Sequence, residues 1–136
     1  MIKTDAQRER TLVQIDGFRR ALDKAKRETA GKRATAICGS YEGMIRQLQD
    51  EVKEYEQLKA GDCRLPRMER LDQIVPFLIK LRIAKGVSQT ELARRLRVSK
   101  QVISRYEEDD YQGVGIGRLQ EILDSLEVTV KVSLSA

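Results

Sequence analysis

Four polar side chains between Lys100 and Arg105 have the chemistry to contact a nucleic acid. Lys100 and Arg105 are cations, and Gln101 and Ser104 carry uncharged hydrogen-bonding groups. Amide and guanidinium groups form paired hydrogen bonds with base edges, while cations and hydroxyls bind phosphate oxygens. These side chains act as one surface only if a rigid element presents them together. The neighbouring residues indicate whether such an element is present.

The neighbouring residues predict two short helices joined by a tight corner. Ser88 followed by Glu91 is a capping box, in which the serine hydroxyl binds the first turn of the helix. Ser99 is placed to cap the second helix in the same way. Apolar residues recur at helical spacing in both helices, namely Leu92, Ala93 and Leu96 in the first and Val98, Val102, Ile103 and Tyr106 in the second. Helices this short are stable only when packed, and packing on these stripes leaves the four polar side chains exposed.

Residues 74–134 resemble the lambda-repressor-like helix-turn-helix family, also called the Cro/cI or xenobiotic-response-element type. The resemblance rests on Gly86-Val87-Ser88-Gln89, Glu91-Leu92-Ala93, Val98-Ser99, Ile103-Ser104 and Glu107. It implies a domain of short helices whose recognition helix, about residues 99–107, enters the DNA major groove. Arg97 occupies the corner where the family usually has glycine. Because a side chain at positive φ costs about 1 kcal/mol, we expect this corner to be strained.

The resemblance also implies roles for individual residues. Gln89 is expected to hold a DNA phosphate at the start of the family's second helix. The other residues expected to contact DNA are Arg97, Ser99, Lys100, Gln101, Ser104 and Arg105. Among them, Gln101 and Arg105 are predicted to read the bases. Arg82 and Glu107 are expected to form the family's internal ion pair, which stabilises the domain more than it binds DNA.

The distribution of charge favours double-stranded DNA as the partner. The net charge is +5, but residues 80–105 contain eight basic residues against one acid, Glu91. A basic run is often a solvated helix face, yet this one coincides with the helix-turn-helix pattern. The acidic run 107–110 follows at once, and its repulsion of phosphates predicts that the Ser99 end of the recognition helix approaches the DNA.

Composition argues against several other functions. The chain has no histidine and only two cysteines, Cys38 and Cys63, so it lacks the residues for a zinc site or for imidazole catalysis. We therefore expect no metal, no cofactor and no enzymatic activity. No apolar run reaches the ~18 residues of a membrane span, and no basic-then-apolar leader is present. These features predict a soluble, cytoplasmic protein whose cysteines stay reduced.

The N-terminal part, residues 1–61, has the pattern of two long helices. Apolar residues recur at spacings of three and four in residues 5–29 and again in residues 33–60, with a turn at Gly31 and a stop at Gly61. This pattern predicts an antiparallel hairpin. Its apolar stripes exceed the area that two helices cover. They pack either on the chain's own C-terminal part or, as we favour, on a second subunit in a four-helix bundle.

Residues 62–70 are the predicted linker, and residues 71–136 form the predicted C-terminal domain. Its first helix is expected at 71–85, where Pro76 is tolerated only near the start. Its last segment, 127–134, alternates apolar and polar residues and indicates a β-strand. The apolar set, which we expect at a dimer interface, is Val128, Val130, Val132 and Leu134. Since no other segment offers a partner strand, we expect this segment to pair with a second copy. The alternative is that it folds back as an irregular segment over its own helices.

These features predict a mainly α-helical protein, with a two-helix antiparallel hairpin followed by a helix-turn-helix domain that ends in a β-strand. The leading hypothesis is a sequence-specific DNA-binding transcriptional regulator that acts as a homodimer. The alternative is an antitoxin, which neutralises a toxin protein and represses its own operon. A third class, a bridging protein that binds only other proteins, would have lost the basic face that this chain retains.

Overall fold

The computed structural model describes all 136 residues and is mainly helical, with 69% of the residues in helices. The chain divides into two compact units, residues 1–57 and 58–136. The six α-helices are α1 (Asp5–Glu28), α2 (Gly31–Lys59), α3 (Leu78–Ala84), α4 (Gln89–Leu96), α5 (Lys100–Glu108) and α6 (Ile116–Ser125). A 3-10 helix at Leu71–Phe77 precedes α3. The prediction of a mainly helical fold is confirmed.

The first unit consists of α1 and most of α2. The hydroxyl of Thr4 caps α1 by accepting a hydrogen bond from the Gln7 backbone N–H at 3.2 Å. Helix α1 ends at Glu28, and α2 begins after two intervening residues at Gly31, whose φ of +79° is one that glycine adopts without strain. This conformation lets the chain reverse within a very short turn.

Contacts between α1 and α2 establish that the two helices are antiparallel. The Tyr55 hydroxyl near the end of α2 donates to the Asp5 carboxylate at the start of α1, at 2.9 Å. Farther along, the rings of Phe18 and Tyr41 lie 6.1 Å apart. Along the hairpin the helices bury an apolar seam that includes Ile15, Leu22, Ile45 and Val52. Burial of such side chains contributes about 1.5–3 kcal/mol each, which holds the hairpin together.

The second unit contains α3–α6, and its first helix is shorter than the sequence predicts. Residues 71–77 form a 3-10 helix, and the α-helix proper begins at Leu78. Pro76 explains the difference, because proline has no N–H to donate and its ring clashes with the preceding turn of an α-helix. The single helix predicted over 71–85 is therefore wrong in its first half.

The core of the second unit lies among α3, α4, α5 and α6. Its most deeply buried side chains, each at most 1% exposed, are Leu78, Ile79, Leu92, Ile103, Tyr111, Ile122 and Leu126. They include members of the apolar stripes that the sequence predicts for the two motif helices. A truncation such as Leu92→Ala in this packed core is expected to cost about 2–5 kcal/mol of folding stability.

The C-terminal β-strand predicted over residues 127–134 is absent from the single chain. Glu127 has a φ of +56°, and its backbone N–H bonds back to the Asp124 carbonyl, so it finishes α6. The Val128 N–H likewise bonds to the Leu123 carbonyl at 2.9 Å. A strand is stabilised by hydrogen bonds to a neighbouring strand, and this fold supplies none. The alternating pattern favours a strand, but the single chain contains no second strand with which this segment could pair.

Candidate nucleic-acid interface

Helices α4 and α5 form the two-helix motif that the sequence predicts. Ser88 caps α4, its hydroxyl accepting a hydrogen bond from the Glu91 backbone N–H at 3.0 Å. The capping box is only half formed, because the Glu91 carboxylate turns to two arginines of its own helix. Ser99 is the N-cap residue of α5, but its side chain makes no capping hydrogen bond there. That expectation for Ser99 was wrong, and its hydroxyl is exposed.

The corner between the two helices is made by Arg97 in the left-handed conformation, with φ 56° and ψ 41°. This backbone lets the Arg97 and Val98 N–H groups bond to the carbonyls of Arg94 and Ala93, which closes the end of α4. The strained corner expected from the absence of glycine is therefore present. The guanidinium of Arg97 is exposed and forms no bond within the chain.

Two other arginines of α4 are engaged within the domain. Arg94 and Arg95 both donate to the Glu91 carboxylate, with nitrogen–oxygen distances of 2.7–2.9 Å. The hydrogen bonds from Arg94 and then Arg95 lower the pKa of Glu91 to about 2. Arg95 also donates to the Ser125 carbonyl at 2.6 Å, which fixes α4 to the end of α6. Cations near the last carbonyls of a helix are favourable to its dipole.

The exposed face of α5 carries the polar side chains that could meet a ligand. Gln101, Ser104 and Arg105 are spaced at i, i+3 and i+4, so they share one face of the helix. Gln101 and Arg105 are exposed, as is Lys100 at the start of the helix, and Ser104 is half-buried. None of these side chains forms a hydrogen bond or ion pair within the chain. On the opposite face, Ile103 and Glu107 are completely buried.

A buried polar network fixes the recognition helix to the rest of the unit. Arg82 and Glu107, at 3% and 0% exposure, form a bidentate ion pair in which Arg82 Nε and Nη2 donate to the two carboxylate oxygens at 2.5 and 2.9 Å. Arg82 Nη1 also donates to the Val87 carbonyl at 2.8 Å. The Tyr111 hydroxyl donates to Glu107 from a buried position, and this burial raises the pKa of Tyr111.

Gln89 belongs to the same network. It is only 8% exposed, and its amide nitrogen Nε2 donates to Glu107 Oε2 at 2.6 Å. A primary amide has two N–H donors and a carbonyl acceptor, so one bond to Glu107 orients the group without using all its capacity. Sequence reasoning did not foresee the participation of Gln89, Tyr111 and the Val87 carbonyl. Neither periodicity nor composition signals these partners.

The four residues predicted for a dimer interface lie at the end of the chain. Val128 is half-buried against its own helix end, whereas Val130, Val132 and Leu134 are 38%, 59% and 93% exposed. The three exposed residues stand in a segment without helix or strand. This segment therefore exposes three apolar side chains to solvent.

Several other features bear on the range of functions. No group of three or more cysteine, aspartate or glutamate side chains is arranged to hold a metal ion. Cys38 and Cys63 are free thiols. None of the helices is both long enough and apolar enough to cross a membrane.

Comparison with known proteins agrees with this geometry. Residues 78–132 match the family model described as helix-turn-helix, of the lambda-repressor-like kind. The match begins at α3 and includes all of α4, α5 and α6. No significant match was found among curated proteins or among solved structures.

Proposed function

Because residues 78–132 form a lambda-repressor-like helix-turn-helix domain, we propose that this chain is a sequence-specific DNA-binding transcriptional regulator. Helix α5 is its recognition helix and enters the major groove of double-stranded DNA. The function is one of binding without catalysis. The observation that carries the proposal is the polar face of α5, whose side chains have no partners in the chain.

The distribution of engaged and free cations supports this assignment. Arg82 is buried with Glu107, and Arg94 and Arg95 are paired with Glu91. The cations of residues 80–105 that make no bond within the chain are Lys85, Arg97, Lys100 and Arg105. Three of these four belong to the corner or to α5. Free positive charge is therefore concentrated where the family presents its recognition helix to DNA.

Individual roles follow from side-chain chemistry. Gln101 and Arg105 read base edges, since an amide pairs with adenine and a guanidinium with guanine through two hydrogen bonds each. Arg97, Lys100, Ser99 and Ser104 contact phosphates or support those contacts. Gln89 holds a phosphate with the amide hydrogen that its bond to Glu107 leaves over. The phosphate contacts fix the position of the protein on the duplex, and the base contacts determine its sequence specificity.

The proposed active form is a homodimer. One recognition helix reads only a few base pairs, and a two-fold dimer gains a second half-site about one helical turn away. Residues 129–134 support this proposal, because they expose apolar side chains and their backbone groups have no partners in the fold. Contact with a second copy covers these side chains and gives the backbone groups partners.

The alternative function is that of an antitoxin. Unlike the regulator proposed above, an antitoxin requires a protein partner for the hairpin. Its support is that Met44 on α2 is 42% exposed beside half-buried Tyr41 and Leu48. A partner helix packs on such a surface through apolar anchors at helical spacing. Gene neighbourhood distinguishes the two readings, since an antitoxin gene adjoins the gene of its toxin.

Selection of binding sites from a random duplex library tests the proposed function. We expect enrichment of one two-fold symmetric sequence with half-site centres about 10 base pairs apart. The control is Gln101→Ala combined with Arg105→Ala, which leaves the buried residues untouched and is expected to abolish the enrichment. Enrichment of no sequence by the wild-type chain would show that the protein does not read DNA.

A further inference from the structure

The hairpin of the first unit has opposite charge at its two ends. Residues 19–33, around the turn between α1 and α2, include seven basic residues and two acidic ones. Residues 50–57, near the other end of α2, include four acidic residues and one basic one. This separation is independent of the helix-turn-helix motif and is not needed for the apolar seam. It raises the question of what each end contacts.

Two of the four acids at the acidic end are paired within the unit. Glu51 pairs with the N-terminal ammonium group at 3.2 Å, and Glu56 accepts two hydrogen bonds from Arg8. The basic end is not neutralised in this way. Its side chains Arg27, Lys32 and Arg33 are exposed and form no hydrogen bond or ion pair within the chain.

Two acids near the turn are matched with cations other than these three. Glu28 lies 4.0 Å from Lys24, and Glu42 lies 3.8 Å from Lys26, so each is matched with another cation. All four of these side chains are more than half exposed. The turn therefore keeps a surplus of positive charge in contact with solvent.

The helix dipole adds to this positive potential. Helix α2 has no acidic residue in its first turn, and Lys32 and Arg33 occupy that turn instead. The N-terminal end of a helix carries a partial positive charge, which favours anions and disfavours cations. Lys32 and Arg33 in this first turn therefore destabilise the hairpin when no anion is bound. A bound polyanion relieves this repulsion, and such local conflicts in a sequence are expected at functional sites.

We propose that this basic tip, formed by Arg27, Lys32 and Arg33, binds the phosphate backbone of double-stranded DNA as a second contact, without reading sequence. The inference rests on the proposed function of the helix-turn-helix domain. The hairpin and that domain belong to one chain, so DNA held by the domain is a tethered ligand for the tip. Flexible, exposed cations recognise a phosphate lattice by charge and need no fixed geometry.

The experiment compares two full-length variants with the same change in charge. The tip variant is Arg27→Gln, Lys32→Gln and Arg33→Gln together. The control variant is Arg10→Gln, Arg46→Gln and Lys53→Gln, three cations of the same hairpin that are also exposed and without partners. Fluorescence anisotropy measures affinity for a random duplex of about 30 base pairs, at several salt concentrations between about 50 and 200 mM.

Each cation that releases a counterion from duplex DNA contributes about 0.9 to the slope of log affinity against log salt. We expect the tip variant to lose about 2–3 from this slope and the control variant less than 1. We also expect the tip variant to unfold at the same temperature as the wild type or higher, because cations leave the first turn of α2. A lower slope therefore reports lost phosphate contacts in a folded protein.

Three outcomes overturn the inference in different ways. Equal slopes for the tip variant and the wild type mean that the tip does not touch DNA. Equal losses for the tip and control variants mean that only net charge matters. Absence of any binding by the wild type to random or selected duplexes overturns the proposed function as well. In the first case, retained selection of one sequence by the tip variant leaves the proposed function intact and rejects the second contact alone.

Discussion

The two units of this protein use charged side chains in different ways. In the hairpin, the ion pair between Arg8 and Glu56 lies at the surface, with the two side chains 30% and 51% exposed. In the helix-turn-helix unit, the pair between Arg82 and Glu107 is almost completely buried and also binds Gln89, Tyr111 and a backbone carbonyl. Surface pairs contribute little to stability, while a buried charge that loses its partner is costly.

The surface charges of the hairpin contribute little to its stability, whereas the buried charges of the helix-turn-helix unit hold its fold together. The hairpin is held by an apolar seam along two long helices, so its charges are free to vary or to meet ligands. The helix-turn-helix unit has short helices that do not stand alone, and its buried network fixes the angle of α5. Each buried side-chain nitrogen and oxygen of that network has at least one hydrogen-bond partner.

The largest expected effect comes from breaking the buried pair. Glu107→Ala leaves the Arg82 guanidinium buried without its carboxylate, and we expect a loss of about 3–5 kcal/mol of unfolding free energy. Urea denaturation followed by circular dichroism measures it. The matched change in the hairpin, Glu56→Ala, is expected to cost no more than about 1 kcal/mol.

If both variants lose the same stability, the contrast between the units is wrong. Glu107→Ala is also liable to be unfolded throughout, which the double variant Arg82→Met with Glu107→Leu resolves. Replacing both charges by apolar groups of similar size removes the unpaired charge, so we expect the double variant to be more stable than Glu107→Ala.

The second largest expected effect is a loss of DNA affinity in a variant that stays folded. Arg105→Ala is expected to cost about 1–3 kcal/mol on the selected sequence and less on random DNA, because a base contact contributes only to the matching site. The control is Lys85→Ala, which removes an exposed cation of the same unit from outside α5. Competition titrations with selected and random duplexes measure both. Equal losses on the two duplexes would mean that Arg105 contacts phosphate and not a base.

The sequence predicts the local features of this fold better than its long-range contacts. Helices α1 and α2 follow from apolar residues at spacings of three and four, and the turn between them and the end of α2 follow from Gly31 and Gly61. The motif helices follow from Ser88 and the apolar stripes. All of these signals involve residues a few positions apart, which a helix places side by side.

Two kinds of feature escape such reasoning. The bond between Gln89 and Glu107 joins residues 18 positions apart, and no local pattern distinguishes this glutamine from a surface one. The segment 127–134 has a strand pattern, but strand formation depends on a partner that a single chain does not contain. Its first residue, Glu127, instead takes a positive φ to end α6. The DNA-contacting set stays a prediction that binding measurements must test.

A smaller effect concerns the corner residue Arg97, which combines backbone strain with a free cation. Arg97→Gly relieves the left-handed strain but adds flexibility to the unfolded chain, so we expect a net gain of about 0.5–1 kcal/mol in stability. DNA affinity is expected to fall because the charge is lost. Arg97→Ala removes the same charge and keeps the strain. Thermal unfolding should therefore rank glycine above alanine, while both variants bind DNA equally weakly. Equal stability of the two variants would show that the corner is not strained.

The smallest effect is the acid response of Glu91, which ties the start of α4 to Arg94 and Arg95. These arginines lower its pKa from an ordinary 4.5 to about 2, so the ionised form is favoured by the folded state. The resulting stability is fully present above about pH 5 and is lost as the pH falls through 4.5 towards about 2. Glu91→Gln lacks the titrating group, so its stability difference from the wild type should shrink steadily over that interval. Carboxyl carbon NMR gives the pKa directly, and titration of Glu91 near its ordinary value would mean that solvent screens these surface pairs completely.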